Sequence, residues 1–373
     1  MFIKGVGMTK FGAQQCTSQE LVYEAAVEAV EDSNISMEDI DAVVVSSIDN
    51  ESTGERQRLF ACVLSSILKK KVPILNSTAV CGGGGAALWT AGKLDYNNIL
   101  VVGVERLLTT TSQKLTDEIM MAAERIYEQA EGMNFPAQNA LVAQQYMMKY
   151  KATMDDLALV AFKNHHNAYM NPKARFYKKA VTMKQIQKSP IVASPLRLFD
   201  CSLSVNGAAA AVLSRDKSDI EIKASSMCVD RLSSFESEDM TTWPASKIAA
   251  SEAYKQAGIS PSDIDIAELH DAFTSVELIS YEDLGFCRPG EGKNLIREGF
   301  TSINGKLPVN TSGGLKAKGH PISATGISQI YELAKQMRGL AGERQVGNIK
   351  YALAQNIGGA GSTVTVHIME KLK

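Results

Sequence analysis

Ile35-Ser36-Met37-Glu38-Asp39-Ile40-Asp41 returns far downstream as Ile259-Ser260-Pro261-Ser262-Asp263-Ile264-Asp265, and what flanks the two copies decides the fold. Before the first copy, residues 19–32 carry helical periodicity at Leu21, Val22, Ala25, Ala26, Ala29 and Val30; after it, Ala42-Val43-Val44-Val45 reads as a buried strand. Around the second, an alanine-rich helix over 245–257 and an apolar strand over 266–269 repeat the same order. The parallel continues more weakly: a helix and the strand 99–104 follow Cys81, while the helix 324–337 and the strand 349–354 follow His320. The expectation is an α/β protein of two duplicated halves, 1–218 and 219–373, each with a largely buried sheet covered by helices. Residues 107–199 have no counterpart in the second half and read as an insertion over the site.

Ligand sites in such folds gather at strand ends, which directs attention to Thr78-Ala79-Val80-Cys81-Gly82-Gly83-Gly84-Gly85-Ala86-Ala87-Leu88. Residues 72–75 read as a short buried strand and 86–94 as a helix packed on both sides, so Cys81 sits at a helix start. Free N–H groups and the helix dipole there can lower a thiol pKa from ~8.5 into the range ~3.5–7.5. The four glycines let another backbone or an acyl group come close. A lone cysteine also serves as a small hydrophobe. The absence of a following Gly-Lys-Ser/Thr argues against a Walker-type phosphate loop.

Composition excludes several classes. With 39 basic against 41 acidic residues and a net charge of −2, no broad basic surface for nucleic acid or an acidic membrane is indicated. The six cysteines are scattered without paired spacing, which argues against a disulfide framework or zinc ribbon and for a reducing compartment; no metal site is expected. The N-terminus begins as a strand without signal-peptide architecture, and no apolar run approaches the ~18 residues of a membrane span. A cytoplasmic protein is expected.

Five histidines are present. His165 and His166 fall on a polar stretch and read as a solvated helix face; His367 alternates within a strand and reads as structural. His270 follows an apolar strand, ahead of Asp271-Ala272-Phe273, and His320 closes the loop Gly313-Gly314-Leu315-Lys316-Ala317-Lys318-Gly319-His320-Pro321. A capping role fits His320 as well as a catalytic one, but its placement mirrors that of Cys81. Asn356-Ile357-Gly358-Gly359-Ala360-Gly361 follows another strand and offers backbone donors of the kind an oxyanion hole uses.

Assembled in order, these pieces resemble the thiolase superfamily, within it the archaeal acetyl-CoA acetyltransferases and sterol-carrier-type thiolases. Carrying the resemblance are Val80-Cys81-Gly82-Gly83-Gly84, His270-Asp271-Ala272-Phe273 with Glu282 to Cys287, and the loop ending at His320. Phe199-Asp200-Cys201-Ser202 with Asn206-Gly207-Ala208, and Lys163-Asn164-His165-His166, add to it. The resemblance implies a five-layer αβαβα thiolase fold. It implies Cys81 as acyl nucleophile, His320 as its activator, His270 as a residue that orients water or the thioester oxygen, and the N–H groups of Cys81 and Gly358 as an oxyanion hole. Coenzyme A would be a substrate carrier, with no tightly bound cofactor. Lys316 and Lys318 are candidate phosphate ligands, although loop lysines are usually solvated. A homodimer or homotetramer is expected, with hydroxymethylglutaryl-CoA synthase as a plausible partner.

One departure stands out. The family's second catalytic cysteine would fall at Asn356 or, in sterol-carrier-type members, at Ala272; this chain has it at neither. The expectation is that His270 takes over the proton transfer while Asn356 only positions substrate. Candidate activities are acetyl-CoA C-acetyl transfer, degradative thiolysis of longer or steroid-like 3-oxoacyl-CoA, and a non-catalytic acyl-CoA scaffold.

Overall fold

The computed structural model describes residues 1–48, 57–109 and 111–372. In the first half β1 (Phe2–Met8), α1 (Ser18–Ser33), β2 (Ala42–Ser46), α2 (Phe60–Ile67), β3 (Ile74–Asn76), α3 (Gly83–Ala91) and β4 (Asn98–Arg106) follow one another. Next come α4 (Ser112–Met120), α5 (Phe135–Tyr150), α6 (Met154–Tyr169), α7 (Met183–Gln187), the small ribbon β5 (Ile191–Ala193) and β6 (Leu196–Arg197), and then β7 (Asn206–Ser214). The second half holds β8 (Ile220–Val229), α8 (Pro244–Ala257), β9 (Ile266–Glu268), α9 (Thr274–Asp283), α10 (Gly292–Arg297), α11 (Thr325–Arg338), β10 (Tyr351–Gly358) and β11 (Thr363–Lys371).

The repeated heptapeptide forms the same device twice. Each copy makes a 3₁₀ turn closed by a reciprocal cap: the N–H of Ser36 donates to Asp39 at 2.8 Å and that of Ser260 to Asp263 at 2.7 Å. Its last aspartate then accepts from the start of the next central strand, Asp41 from Asn98 N–H at 2.9 Å and Asp265 from Lys350 and Tyr351 N–H at 2.7 and 2.9 Å.

Strand pairing repeats as well. The first half orders its strands β3-β2-β4-β7-β1, with β2 parallel to β3 and β4, and β7 antiparallel to β4 and β1. The second half runs β9-β10-β11-β8 with the matching senses, and its counterpart of β3 shrinks to a single parallel bridge between Ala267 and Val309. A two-residue pairing, Phe2 with Glu221 and Ile3 with Ile220, joins both into one nine-stranded run.

Layering follows from burial. On α1, apolar Leu21, Val22, Ala25, Ala26, Ala29 and Val30 face the first sheet, whereas α3 and α11 are buried on nearly every side. The last two lie against each other between the sheets, α3 touching β4 and β11, α11 touching β7 and β10; α8 covers the far face of the second sheet at β8 and β11. The result is the five-layer αβαβα order. Residues 72–75 correct one expectation: the strand is β3, it lies at the sheet edge, and Leu75 is 41% exposed. No helix among the described residues is long and apolar enough to cross a membrane.

Candidate active site

Cys81 occupies a 3₁₀ turn, Val80–Gly82, immediately ahead of α3. Val80 holds φ at +47°, a left-handed value that a β-branched residue adopts only under constraint. The glycines supply that constraint by removing every Cβ that would separate the halves. A Cβ on Gly82 would lie 2.9 Å from Gly358 N, and one on Gly84 would lie 2.8 Å from Gly326 N. The turn is thus wedged between the strand end at Gly358 and the start of α11.

Cys81, His270 and His320 line one cavity of about 480 Å³. The insertion roofs it with Leu107, Leu115, Ile119 and Phe135, and Trp243 and Val276 add to its largely apolar wall. The two histidine rings meet edge to face with centroids 5.4 Å apart.

Asn356, at the end of β10, ties Cys81 to His270. Its Oδ1 accepts from Gly85 N–H at 3.0 Å, which fixes the amide's orientation and caps one first-turn donor of α3. Its Nδ2 therefore points the other way and donates to the Cys81 carbonyl at 2.9 Å and to His270 Nδ1 at 3.1 Å. An Nδ1 that accepts leaves the proton on Nε2, so His270 is assigned as the tautomer with an Nε2–H donor. The amide of Asn356 thus serves Gly85, Cys81 and His270 together, and the Nδ1 lone pair of His270 is occupied. Burial and the neighbouring His320 also hold the His270 pKa well below the usual histidine range.

His320 is held from both sides. Its N–H donates to the Leu203 carbonyl at 2.8 Å, and its Nδ1 lies 2.7 Å from Thr325 Oγ1. Burial, with Lys318 adding to it, pushes its pKa down to about 3, so the imidazole is neutral at rest. Cys81 departs from the expected lowered thiol. Burial, reinforced by the Glu105 carboxyl, pushes it up to about 12, while its own backbone N–H bonded to the sulfur works in the opposite direction. Desolvation outweighs the helix start, and the resting pair is neutral thiol and neutral imidazole.

Behind the cavity wall lies a polar scaffold that periodicity did not reveal. Asp271 accepts from Leu315 N–H and from Asn164 Nδ2, both at 2.7 Å. Lys163 pairs with Glu277 at 2.8 Å and donates to the Val309 carbonyl at 2.8 Å; Asn167 and Asn171 donate to the carbonyls of Asn310 and Ser312 at 3.0 and 2.8 Å. Helix α6 is therefore laced to the loop that delivers His320. The readings of His165, Lys316 and Lys318 change accordingly, and that of His367 does not. His165 is buried rather than solvated, edge to face with Phe176 and Phe199 at 4.4 and 5.1 Å. Lys316 and Lys318 are each 1% exposed, the first donating to the Asp200 carbonyl at 2.6 Å and the second lying 3.9 Å from Glu268, so neither is solvated or free to hold a phosphate. His367 is buried between Ser225 and the Gly85 carbonyl, a structural position.

Glu105 and Cys201 were missed. Glu105 is fully buried at the end of β4, accepts from Ile48 N–H at 3.2 Å, and is pushed up to about 8 by burial. A charged residue at the end of so apolar a strand was its available signal. Cys201 lines the cavity; its only signal was membership of the Phe199–Ser202 motif.

The comparisons agree with this architecture. A model described as "Thiolase, N-terminal domain" matches residues 1–196, and one described as "Thiolase C-terminal domain-like" matches residues 226–371. The chain is 37% identical to the acetyl-CoA acetyltransferase of Methanothermobacter thermautotrophicus over 379 residues, 98% of each chain. It is 32% identical to sterol carrier protein 2 of Bos taurus, covering 98% of this chain and 71% of that one. Among solved structures, the "Ltp2-ChsH2(DUF35) aldolase" superposes with a TM-score of 0.83 at 25% identity, covering 99% of this chain and 97% of that one. With both halves matched, and a duplicated fold that brings a cysteine and two histidines to one cavity, the chain belongs to the thiolase family of acyltransferases.

Proposed function

We propose that the protein is an acetyl-CoA C-acetyltransferase that condenses two acetyl-CoA to acetoacetyl-CoA and CoA, or runs the reverse, through an acyl-enzyme on Cys81. The observation that carries this reading is the junction at Asn356, which ties the Cys81 turn to His270 in a cavity that also holds His320. His320 takes the thiol proton as Cys81 attacks the thioester carbonyl. The N–H groups of Cys81 and Gly358 receive the oxyanion, and the Nε2–H of His270 steadies the thioester oxygen of the second substrate. A thiolate is both a good nucleophile and a good leaving group, so splitting the transfer into two steps lowers each barrier.

Coenzyme A serves as carrier rather than resident cofactor. With Lys316 and Lys318 buried, its phosphates belong at the polar pocket lined by Arg231, Ser233, Ser234 and Ser237, which shares Asn139 and Trp243 with the main cavity. Degradation of longer 3-oxoacyl-CoA is the second reading, favoured by a cavity larger and more apolar than an acetyl group needs. A non-catalytic scaffold is disfavoured by the presence of all three side chains. The exposed edge at β3 suits pairing into a homodimer or dimer of dimers. A cytoplasmic setting, a role in isoprenoid precursor supply, an enzyme that consumes acetoacetyl-CoA as neighbour and a division of the chain at 218/219 complete the proposal.

Intact-protein mass after mixing with acetyl-CoA tests it. An acetyl adduct mapping to Cys81 and lost in Cys81→Ser, with acetoacetyl-CoA as product, is expected. A serine variant that turns over at a comparable rate, or an adduct on Cys287, would sink the reading.

A further inference from the structure

Carbon–carbon bond formation requires a proton to leave the methyl of an acyl-CoA, and thiolysis requires one to arrive there. The positions where the resemblance leads one to expect a second cysteine are Ala272 and Asn356, and neither titrates. Of the described side chains lining the cavity, only Cys81, Cys201, His270 and His320 can exchange a proton in the accessible range. Cys81 is the nucleophile and His320 its base. His270 is spent at Nδ1 on Asn356 and faces the other way with a proton already on Nε2.

Cys201 remains, and the backbone sets it beside the vacated position. It forms an antiparallel bridge with Phe273, and the next residue, Ser202, donates its N–H to the Ala272 carbonyl at 2.8 Å. Residues directly opposed across an antiparallel pair project to the same face, and Cys201, Ala272 and Phe273 all line the cavity. Two residues on, Ser204 bridges to His320, so the segment 201–204 runs along the cavity wall from Ala272 to the activating histidine. Among the described residues the thiol's hydrogen bond is a long one, 3.6 Å to the Arg197 carbonyl. Cys287 is outside the cavity lining.

We propose that Cys201 is the acid/base thiol of the carbon–carbon step, replacing a cysteine at 272 with one across the backbone bridge. The assignment rests on the thiolase reading above. In cleavage, the Cys81 thiolate attacks the C3 carbonyl of acetoacetyl-CoA and the C2–C3 bond breaks. Its electron pair leaves as the acetyl-CoA enolate, whose carbon takes the proton from Cys201. The Cys201 thiolate then removes the thiol proton of incoming CoA, whose sulfur attacks the acetyl-Cys81 carbonyl. Cys81 departs as thiolate and recovers its proton from His320. Condensation is the same sequence reversed. Burial pushes Cys201 up to about 11, against the attraction of Lys316, so it rests as the thiol that cleavage requires.

The test is exchange of the acetyl-CoA methyl protons in D2O, followed by proton NMR, alongside the mass of the acetyl-Cys81 adduct. Wild type should show both. Because CoA can leave as a thiolate without a proton from residue 201, Cys201→Ala and the near-isosteric Cys201→Ser should acylate Cys81 within about tenfold of wild type, yet exchange methyl protons, a step with a poor carbon acid, about 10²-fold or more slowly, the size of general acid/base help. Adding Ala272→Cys to Cys201→Ala should restore exchange, which a merely structural role would not allow. Wild-type exchange in Cys201→Ala, or equal loss of adduct and exchange in both variants without rescue, overturns the assignment. A wild type that forms no adduct removes the thiolase reading, and this assignment with it.

Discussion

Replacing Asn356 by Asp changes one NH2 for an oxygen and leaves the shape alone, so its consequences can be worked from the hydrogen bonds. The Oδ1 bond from Gly85 N–H survives. The two donations from Nδ2, to the Cys81 carbonyl and to His270 Nδ1, do not. Stranding two buried acceptors costs about 1–3 kcal/mol each, roughly 2–6 together. The site relieves half of this by moving the His270 proton from Nε2 to Nδ1, where it donates to the new carboxylate. That repair turns the cavity-facing nitrogen from donor to acceptor. Loss of one preplaced donor to a developing oxyanion costs about 10²–10³ in kcat, or ~2.7–4 kcal/mol. The expected variant is folded, modestly destabilised and slower by that factor in thiolysis, with acylation of Cys81 less affected. The ¹⁵N shifts of the His270 ring report the tautomer directly, and kinetics of the two half-reactions report the rest. Wild-type kcat, or a ring that keeps its proton on Nε2, would refute the reasoning.

Two further outcomes concern stability. His165 is buried, its Nδ1 has no hydrogen-bond partner among the described residues, and burial followed by Lys316 lowers its pKa from 6.5 to about 3, so the unfolded chain binds its proton first. Stability from this group is full above about pH 6.5 and is lost as pH falls toward 3; at pH 5 the loss is about 2 kcal/mol. In His165→Phe that slope should vanish, so the denaturant-measured gap between wild type and variant should shift by about this amount in the variant's favour between pH 7.5 and 5; an unchanged gap would contradict it. Gly84→Ala would press a methyl to within 2.8 Å of Gly326 N and 2.9 Å of the Ser323 carbonyl, both backbone, so a destabilisation of about 1–3 kcal/mol and a lower melting temperature are expected, and an unchanged melting curve would show that the α3–α11 contact can give.

Much of the architecture was legible because it is local and repeated. The caps at Ser36 and Ser260 and the aspartates at 41 and 265 are written within seven residues, and the strands they introduce are continuous apolar runs. What was illegible depends on burial that only the assembled halves create. The exposure of β3 depends on its place at the sheet edge, not on its own residues. His165, Lys316 and Lys318 look solvated in sequence because they are polar; they are buried because α6 packs over the loop before His320, where Lys316 finds the Asp200 carbonyl and Lys318 the Glu268 carboxylate. The Cys81 pKa has the same origin. Position at a helix start is visible in sequence, whereas the Glu105 carboxyl and the surrounding density belong to another strand and the other half.

That last point bears on how such a site works. A thiol held near pKa 12 and an imidazole near 3 do not form an ion pair at rest, so the nucleophile is not stored as thiolate. Storing it would mean burying a charge in an apolar cavity and exposing it to oxidants between turnovers. In the proposed acyl transfer the proton moves when a thioester fills the cavity and the negative charge passes at once to the carbonyl oxygen at the proposed N–H donors. Such donors act at greater strength in a cavity from which the substrate excludes water. On the proposed mechanism, the burial that keeps the resting thiol protonated also strengthens the oxyanion donors, and Asn356, which fixes the Cys81 turn and the His270 proton with one amide, links the two.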